Sequence, residues 1–290
     1  MNPPSFPDFK LVEISDQELL TSFLSRFPSE ACEMNFANIF LWRRFEHPKF
    51  TIIDENLCIL CEPPSEPAYF LPLAGKNRIE ETIRICLSAA PRISRVPEAF
   101  VARYGQAFRS EPDRNNFDYV YVAEDLIGLK GKKYDGKRNR IRKFERHFYH
   151  EYRRLSREHV ASCSALLERW LEAKTSSDTS LTNVWRDVIQ EALKNHEVLG
   201  MVGGVFLVDG CVAAFSMGAE LMPDTAVIPI EIVDPAYDGL SQLVNREFVM
   251  QEWAGCRFIN REQDLGIPGL RRAKMSYYPH HLVKKYDILG

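Results

Sequence analysis

Between Asn260 and Tyr278 the chain reads Asn-Arg-Glu-Gln-Asp-Leu-Gly-Ile-Pro-Gly-Leu-Arg-Arg-Ala-Lys-Met-Ser-Tyr-Tyr, the densest run of reactive side chains in the sequence. Glu262 and Asp264 are potential proton acceptors. Arg271, Arg272 and Lys274 are potential binders of a phosphate or a developing oxyanion, and Tyr277 and Tyr278 add hydroxyls. Glycines and a proline bend the path between them, which lets the set line a cleft. Structural salt bridges would explain the same alternation of acids and bases, and spacing leaves both readings open.

A second signal is electrostatic. From Leu129 to Arg157 there are twelve Lys or Arg residues against Asp135, Glu145 and Glu151, in a chain whose net charge is −3. Lys132, Lys133, Lys137, Arg138, Arg140 and Arg142 form its core. A basic concentration inside an acidic protein is the footprint of a phosphate-rich partner such as RNA. A solvated helix face is the other reading.

The third signal is the turn Asp234-Pro-Ala-Tyr-Asp-Gly-Leu-Ser, which follows an apolar strand and opens a helix. Gly239 would let an anion approach the backbone and Ser241 lies in the first helical turn, so the pair forms a candidate donor-binding site. Asp238 puts a negative charge there, and an aspartate-glycine helix start needs no ligand to explain it. Cys58 and Cys61 are spaced as a Cys-x-x-Cys without a second ligand pair, so two buried thiols on a strand are expected. The seven histidines show no ligand spacing, and no Gly-x-Ser-x-Gly turn occurs, so no metal site is expected and covalent catalysis is disfavoured.

Elements must position these groups. Asp16 caps a helix with Leu19, Leu20, Phe23, Leu24 and Phe27 on one face, and a second helix is expected from Ser29. Phe50 to Glu62 and Ala68 to Leu73 read as strands, Arg78 to Ala90 as a helix and Phe117 to Ala123 as a strand. Lys137 to His150 is an amphipathic helix entered through glycines, with Ile141, Phe144 and Phe148 on its apolar side. Two more helices follow, around Leu166 and Ile189. Met201 to Val208 and Cys211 to Glu220 form a hairpin about Asp209-Gly210. A strand Ala226 to Val233, a helix Leu240 to Trp253, a short strand Arg257 to Asn260 and a last strand near His281 to Tyr286 complete the chain. This is the plan of one unit repeated: an α+β fold of two lobes, residues 1–150 and 151–290, with helices on mainly antiparallel mixed sheets.

A length of 290 residues with 45% hydrophobic and 27% charged residues supports two such cores. No apolar run is long enough for a membrane-spanning helix, and the start lacks the pattern of a signal peptide. Seven scattered cysteines suggest reduced thiols, and a cytoplasmic protein is expected.

Three segments carry a resemblance: Ser29-Glu-Ala-Cys-Glu-Met-Asn-Phe-Ala-Asn-Ile-Phe-Leu-Trp, Leu129-Lys-Gly-Lys-Lys-Tyr-Asp-Gly-Lys-Arg-Asn, and the run from Asn260 to Lys274. Together they resemble bacterial proteins related to the C-terminal domain of phosphatidylglycerol lysyltransferase. The resemblance implies a tandem acetyltransferase-type (GNAT-like) fold and transfer of an aminoacyl group from tRNA. It also implies an Asn-x-Glu and a following Lys in the active site, which here are Asn260, Glu262 and Lys274. On that reading Glu262 takes the acceptor's proton, Lys274 steadies the oxyanion or leaving ribose, and Asn260 orients the ester. Gly239, Ser241, Asp264, Arg271 and Arg272 would hold the donor, and the basic helix the tRNA. No tightly bound cofactor is implied, only a co-substrate, aminoacyl-tRNA or acyl-CoA, and the acceptor is a small molecule, lipid or peptide. A tandem module that binds RNA or protein without catalysis is the remaining alternative.

Overall fold

The computed structural model describes residues 3–173 and 179–290. Its strands are β1 (Lys10–Leu11), β2 (Lys49–Ile53), β3 (Asn56–Cys61), β4 (Tyr69–Phe70), β5 (Arg92–Pro97), β6 (Arg109–Pro112), β7 (Asp118–Val122), β8 (His150–Arg154), β9 (Val202–Val208), β10 (Cys211–Met222), β11 (Thr225–Val233), β12 (Phe258–Asn260), β13 (His281–Val283) and β14 (Lys285–Leu289). They form two seven-stranded sheets, ordered β1-β2-β3-β4-β5-β14-β6 and β13-β7-β12-β11-β10-β9-β8.

The expected repeat is visible in these orders. Each sheet has an antiparallel hairpin, β2 with β3 and β9 with β10, followed by a strand that pairs in parallel with the next, β4 with β5 and β11 with β12. A parallel pair needs a crossover, supplied by the helices Ile79–Ala89 and Leu240–Glu252. The counterpart of the helix after Gly239 is therefore Ile79–Ala89.

The chain forms two compact units, each built from separate stretches of sequence. The first comprises the chain up to Tyr119, Glu262–Lys274 and His281–Gly290; the second comprises Val120–Arg261 and Met275–His280. Strand pairing is the reason. In the first unit, β14 inserts between β5 and β6, with Tyr286 opposite Val96 and Pro112. In the second, β7 aligns Val120 with Asn260 of β12. The segment with Glu262 and Lys274 thus packs with the first unit, although the sequence places it late in the chain.

Local departures have local causes. The second helix is Phe36–Leu41, and its cap is Asn35, whose side chain accepts from the Ala37 and Asn38 amides; Ser29 only accepts from the Ala31 amide. Phe50 to Glu62 is two strands joined at Asp54 and Glu55, both in the left-handed region (φ 48° and 65°) without a glycine to announce the turn. The last strand is likewise two, β13 and β14, and the loop before them contains the helix Pro268–Met275. The basic helix runs Asp135–His147, buries Ile141 and Phe144, and stops short of His150, where β8 begins. The first unit's core gathers Cys58, Phe70, Ile83, Cys86, Ile93 and Ile288. Cys58 and Cys61 are both buried on β3, and Asp209 and Gly210 turn their hairpin at φ 49° and 81°.

Candidate active site

In the first unit, Glu262 stands at the start of the late loop with φ +56° and a half-buried side chain. Non-glycine residues held in this conformation concentrate at functional positions. Its carboxylate accepts from Asn38 Nδ2 at 3.0 Å, a group presented by the Asn35-capped helix. Lys274, on the helix Pro268–Met275, reaches back to donate to the backbone carbonyls of Glu262 (3.1 Å) and Gln263 (2.7 Å). The ammonium therefore ties the loop's two ends together. Burial pushes the Glu262 carboxyl up to about 7; Asp118 and Glu33 add to the rise, while Lys274 and Lys285 oppose it.

Behind Glu262 lies a fully buried ion cluster. Lys285 Nζ donates to Asp118 (2.6 Å) and to both oxygens of Glu33 (2.9 and 2.7 Å), and sits 3.6 Å from Cys32 Sγ. All four are buried. Cys32, Glu33 and Asp118 converge closely enough to suggest a metal site, but the ammonium occupies the point they share. Burial, with Asp118 and Glu33 beside it, pushes the Cys32 thiol well above its ordinary range, so it stays protonated and is a poor nucleophile. The chain of ions continues from Glu33 to Arg95 (3.8 Å) and on to Glu46 (2.8 Å).

Asp264 is 0% exposed and accepts from Tyr119 Oη (2.5 Å), Arg114 (3.1 Å), Arg271 (2.8 Å to each oxygen) and the Gly266 amide (2.8 Å). Burial would raise its pKa, but Arg271, Tyr119 and Gly266 hold it far below the usual carboxylate range. Five donors saturate a carboxylate, so Asp264 and Arg271 fix the loop's shape and have little capacity left for a donor molecule. Arg272 is exposed on the same helix.

The other expected residues belong to the second unit. Asn260 is fully buried on β12, between Val227 and Val120. Gly239 has φ +95°, and a Cβ there would meet the carbonyl of Arg140 at 2.4 Å. The basic helix itself fills the space the glycine leaves, which accounts for the residue without a phosphate. Gly239→Ala combines a left-handed backbone with that overlap, so a loss of about 1–3 kcal/mol is expected, read as a lowered thermal midpoint. Ser241 donates to Glu231 (3.2 Å), which also takes Arg261 (2.9 Å). Lys137 lies 3.9 Å over the Tyr277 ring and donates to Ser276 (2.7 Å); burial, then Arg140 and Arg261, pushes it down to about 8. Arg138 binds the carbonyls of Leu129 and Gly131 and the Asp135 carboxylate. Lys132, Lys133, Arg140 and Arg142 are exposed, which suits a partner's phosphates.

Asn38, Cys32, Glu33, Asp118 and Lys285 were not singled out from residue patterns. Lys285 carries no such signal, because the positions two apart on this segment, Val283, Lys285, Asp287 and Leu289, mix apolar and charged residues.

Two sheets with matching crossovers define the class: the chain is an α+β protein whose two mainly antiparallel mixed sheets are flanked by helices. It belongs to the family described as phosphatidylglycerol lysyltransferase, C-terminal, which matches residues 24–289. A conserved protein of unknown function from Bacteroides thetaiotaomicron is 28% identical, with a TM-score of 0.90 over 97% of this chain and 99% of that one. The structure of L-PGS from Bacillus licheniformis is similar in fold at 16% identity, with a TM-score of 0.68 over 100% of this chain and 94% of that one. FemX is similar in fold at 8% identity, with a TM-score of 0.62 over 98% and 97%. No curated protein matches the chain. Among the described residues, no helix is long and apolar enough to cross a membrane.

Proposed function

We propose that this chain is an aminoacyl transferase that moves an aminoacyl group from tRNA to an amine or hydroxyl acceptor by direct attack. The observation that carries the reading is the Glu262 carboxylate held by Asn38 at 3.0 Å on backbone fixed by Lys274, where burial pushes it up to about 7, towards the range a general base needs at neutral pH. Family membership supports the same class of chemistry. Glu262 takes the proton of the attacking group as it adds to the ester carbonyl and returns it to the leaving ribose oxygen. Asn38 orients the carboxylate, and Lys274 is a positioning residue that fixes the backbone on either side of it. Acyl-CoA is the weaker donor, because Arg140 fills the space at Gly239 that a pyrophosphate would need.

The exposed face of the basic helix would take the tRNA. Binding of charged tRNA, followed by filter retention, is expected to weaken steeply with added salt. Arg140→Glu and Arg142→Glu should each lower the slope of log affinity against log salt by about one. Labelled lysyl-tRNA offered with phosphatidylglycerol vesicles or simple amines then tests transfer. Salt-insensitive binding, or none, would sink the tRNA donor.

A further inference from the structure

The first unit holds a second polar centre that the transfer reading does not use. β14 aligns Tyr286 with Val96 and Ile288 with Ile93, so Ser94 and Arg95 together face the single residue Asp287. This is a β-bulge, and Arg95 in it has φ +60°. Bulges redirect side chains, and strained residues gather where ligands are held. Beside the bulge is a cavity of about 390 Å³, whose wall includes Tyr69, Arg92, Ser94, Arg95, Asn116 and Asp287. Its size is at the lower end for small-molecule sites.

Three buried polar atoms on this wall have no hydrogen-bond partner: the Tyr69 hydroxyl, Arg92 Nε and Asp287 Oδ1. Tyr69 is only 1% exposed. A buried polar atom left unpaired costs more than a hydrogen bond returns, so three around one hollow call for an occupant. The charges, by contrast, are already compensated: Arg92 pairs with Glu66 and, through Nε at 3.8 Å, with the other oxygen of Asp287, Arg95 pairs with Glu46, and Glu111 with Arg109. What remains is one donor, one acceptor and one phenol that serves as either. Hydroxyl groups meet all three without adding charge, since each both donates and accepts.

We propose that this cavity binds a polyhydroxylated ligand through a vicinal diol. One hydroxyl donates to Asp287, its neighbour accepts from Arg92 Nε, and the Tyr69 hydroxyl bonds to the second. The diol could come from a free sugar ring, a ribose within a nucleoside or a short polyol, and the probes separate these. D-glucose, D-ribose, adenosine and glycerol are offered to the full chain, with binding read by saturation-transfer NMR and calorimetry.

Binding of at least one probe is expected, weakened about tenfold or more by Tyr69→Phe and by Asp287→Asn. Tyr69→Phe removes a buried hydroxyl whose polar neighbour in the protein is the weakly bonding Cys61 thiol, so its thermal midpoint should stay close to that of the unaltered chain. No binding of any probe at millimolar concentration would overturn the proposal. So would binding that neither substitution changes, or a response to ethanolamine in place of every polyol. None of these readouts depends on acyl transfer, so failure here leaves the transferase reading intact.

Discussion

Glu262→Gln should abolish most transfer, lowering kcat by about 10²- to 10⁴-fold while charged-tRNA binding persists, because the amide keeps the shape and loses the base. In the unaltered protein, kcat/KM should rise with pH through about 7, where the carboxyl gives up its proton, and level off above it. The substitution should remove that limb. Stability should move the opposite way. A carboxyl whose folded pKa is raised keeps its proton in the folded state while the unfolded chain has lost it. Folding therefore weakens as pH rises from about 4.3, the unfolded value, to about 7, and the cost is complete above that. At pH 8 the Gln variant should be more stable by about 3 kcal/mol, and below pH 4 the difference should vanish. A variant that loses activity without gaining alkaline stability would show that the carboxyl is not held in this way. Activity retained in Glu262→Gln would remove it as the base.

Lys285→Met is expected to be the most damaging single change to the fold. It leaves Glu33 and Asp118 buried without their shared ammonium, and breaking a buried pair in this way costs about 3–5 kcal/mol. Burial alone would raise the Glu33 carboxyl, but Lys285 and Arg95 together hold it below its ordinary value. That contribution is present above the unfolded pKa of about 4.3 and is lost as pH falls through the folded one. Burial would likewise lower Lys285, yet Asp118, Cys32 and Glu33 hold it well above its ordinary value. Its contribution is present below about 10.4 and disappears as pH climbs through the folded pKa. The unaltered protein should thus show a broad plateau between the two. In Lys285→Met the carboxyls lose their main counter-charge and their pKa values should rise, so urea midpoints should improve on acidification towards pH 5. A midpoint unchanged from the parent at neutral pH would show that the cluster contributes nothing to the fold.

The position of Glu262 links these two predictions. Its carboxyl responds to Glu33, Asp118 and Lys285, so the ion cluster sets the charge environment of the proposed base. Loss of Lys285 should therefore raise the Glu262 pKa further and shift the rising limb of activity to higher pH in whatever folded fraction remains.

The amino-acid sequence by itself determined what is local. Asp209-Gly210 suits the positive φ of a hairpin turn, the 3.6-residue spacing of Leu243, Val244 and Phe248 makes a helix, and the order of these elements reveals two copies of one unit. The crowding of acids and bases in one loop placed Glu262 and Lys274 among several candidates, and the family resemblance, not spacing, picked them from that set. The asparagine cap at position 35 and the glycine-free turn at Asp54-Glu55 were less legible, since several residues nearby could have served equally well.

Only the tertiary structure decided which strands become neighbours. Lys285 meets Glu33 across 252 positions and Asp118 across 167, and Asn38 meets Glu262 across 224. Backbone pairing of β14 with β5 and β6 brings Lys285 into the first unit, and no periodicity encodes a partner so distant. The same holds for the pKa of Glu262. A carboxyl moves from its ordinary value to about 7 because of burial and of charges converging from remote segments, and both exist only once the chain has folded.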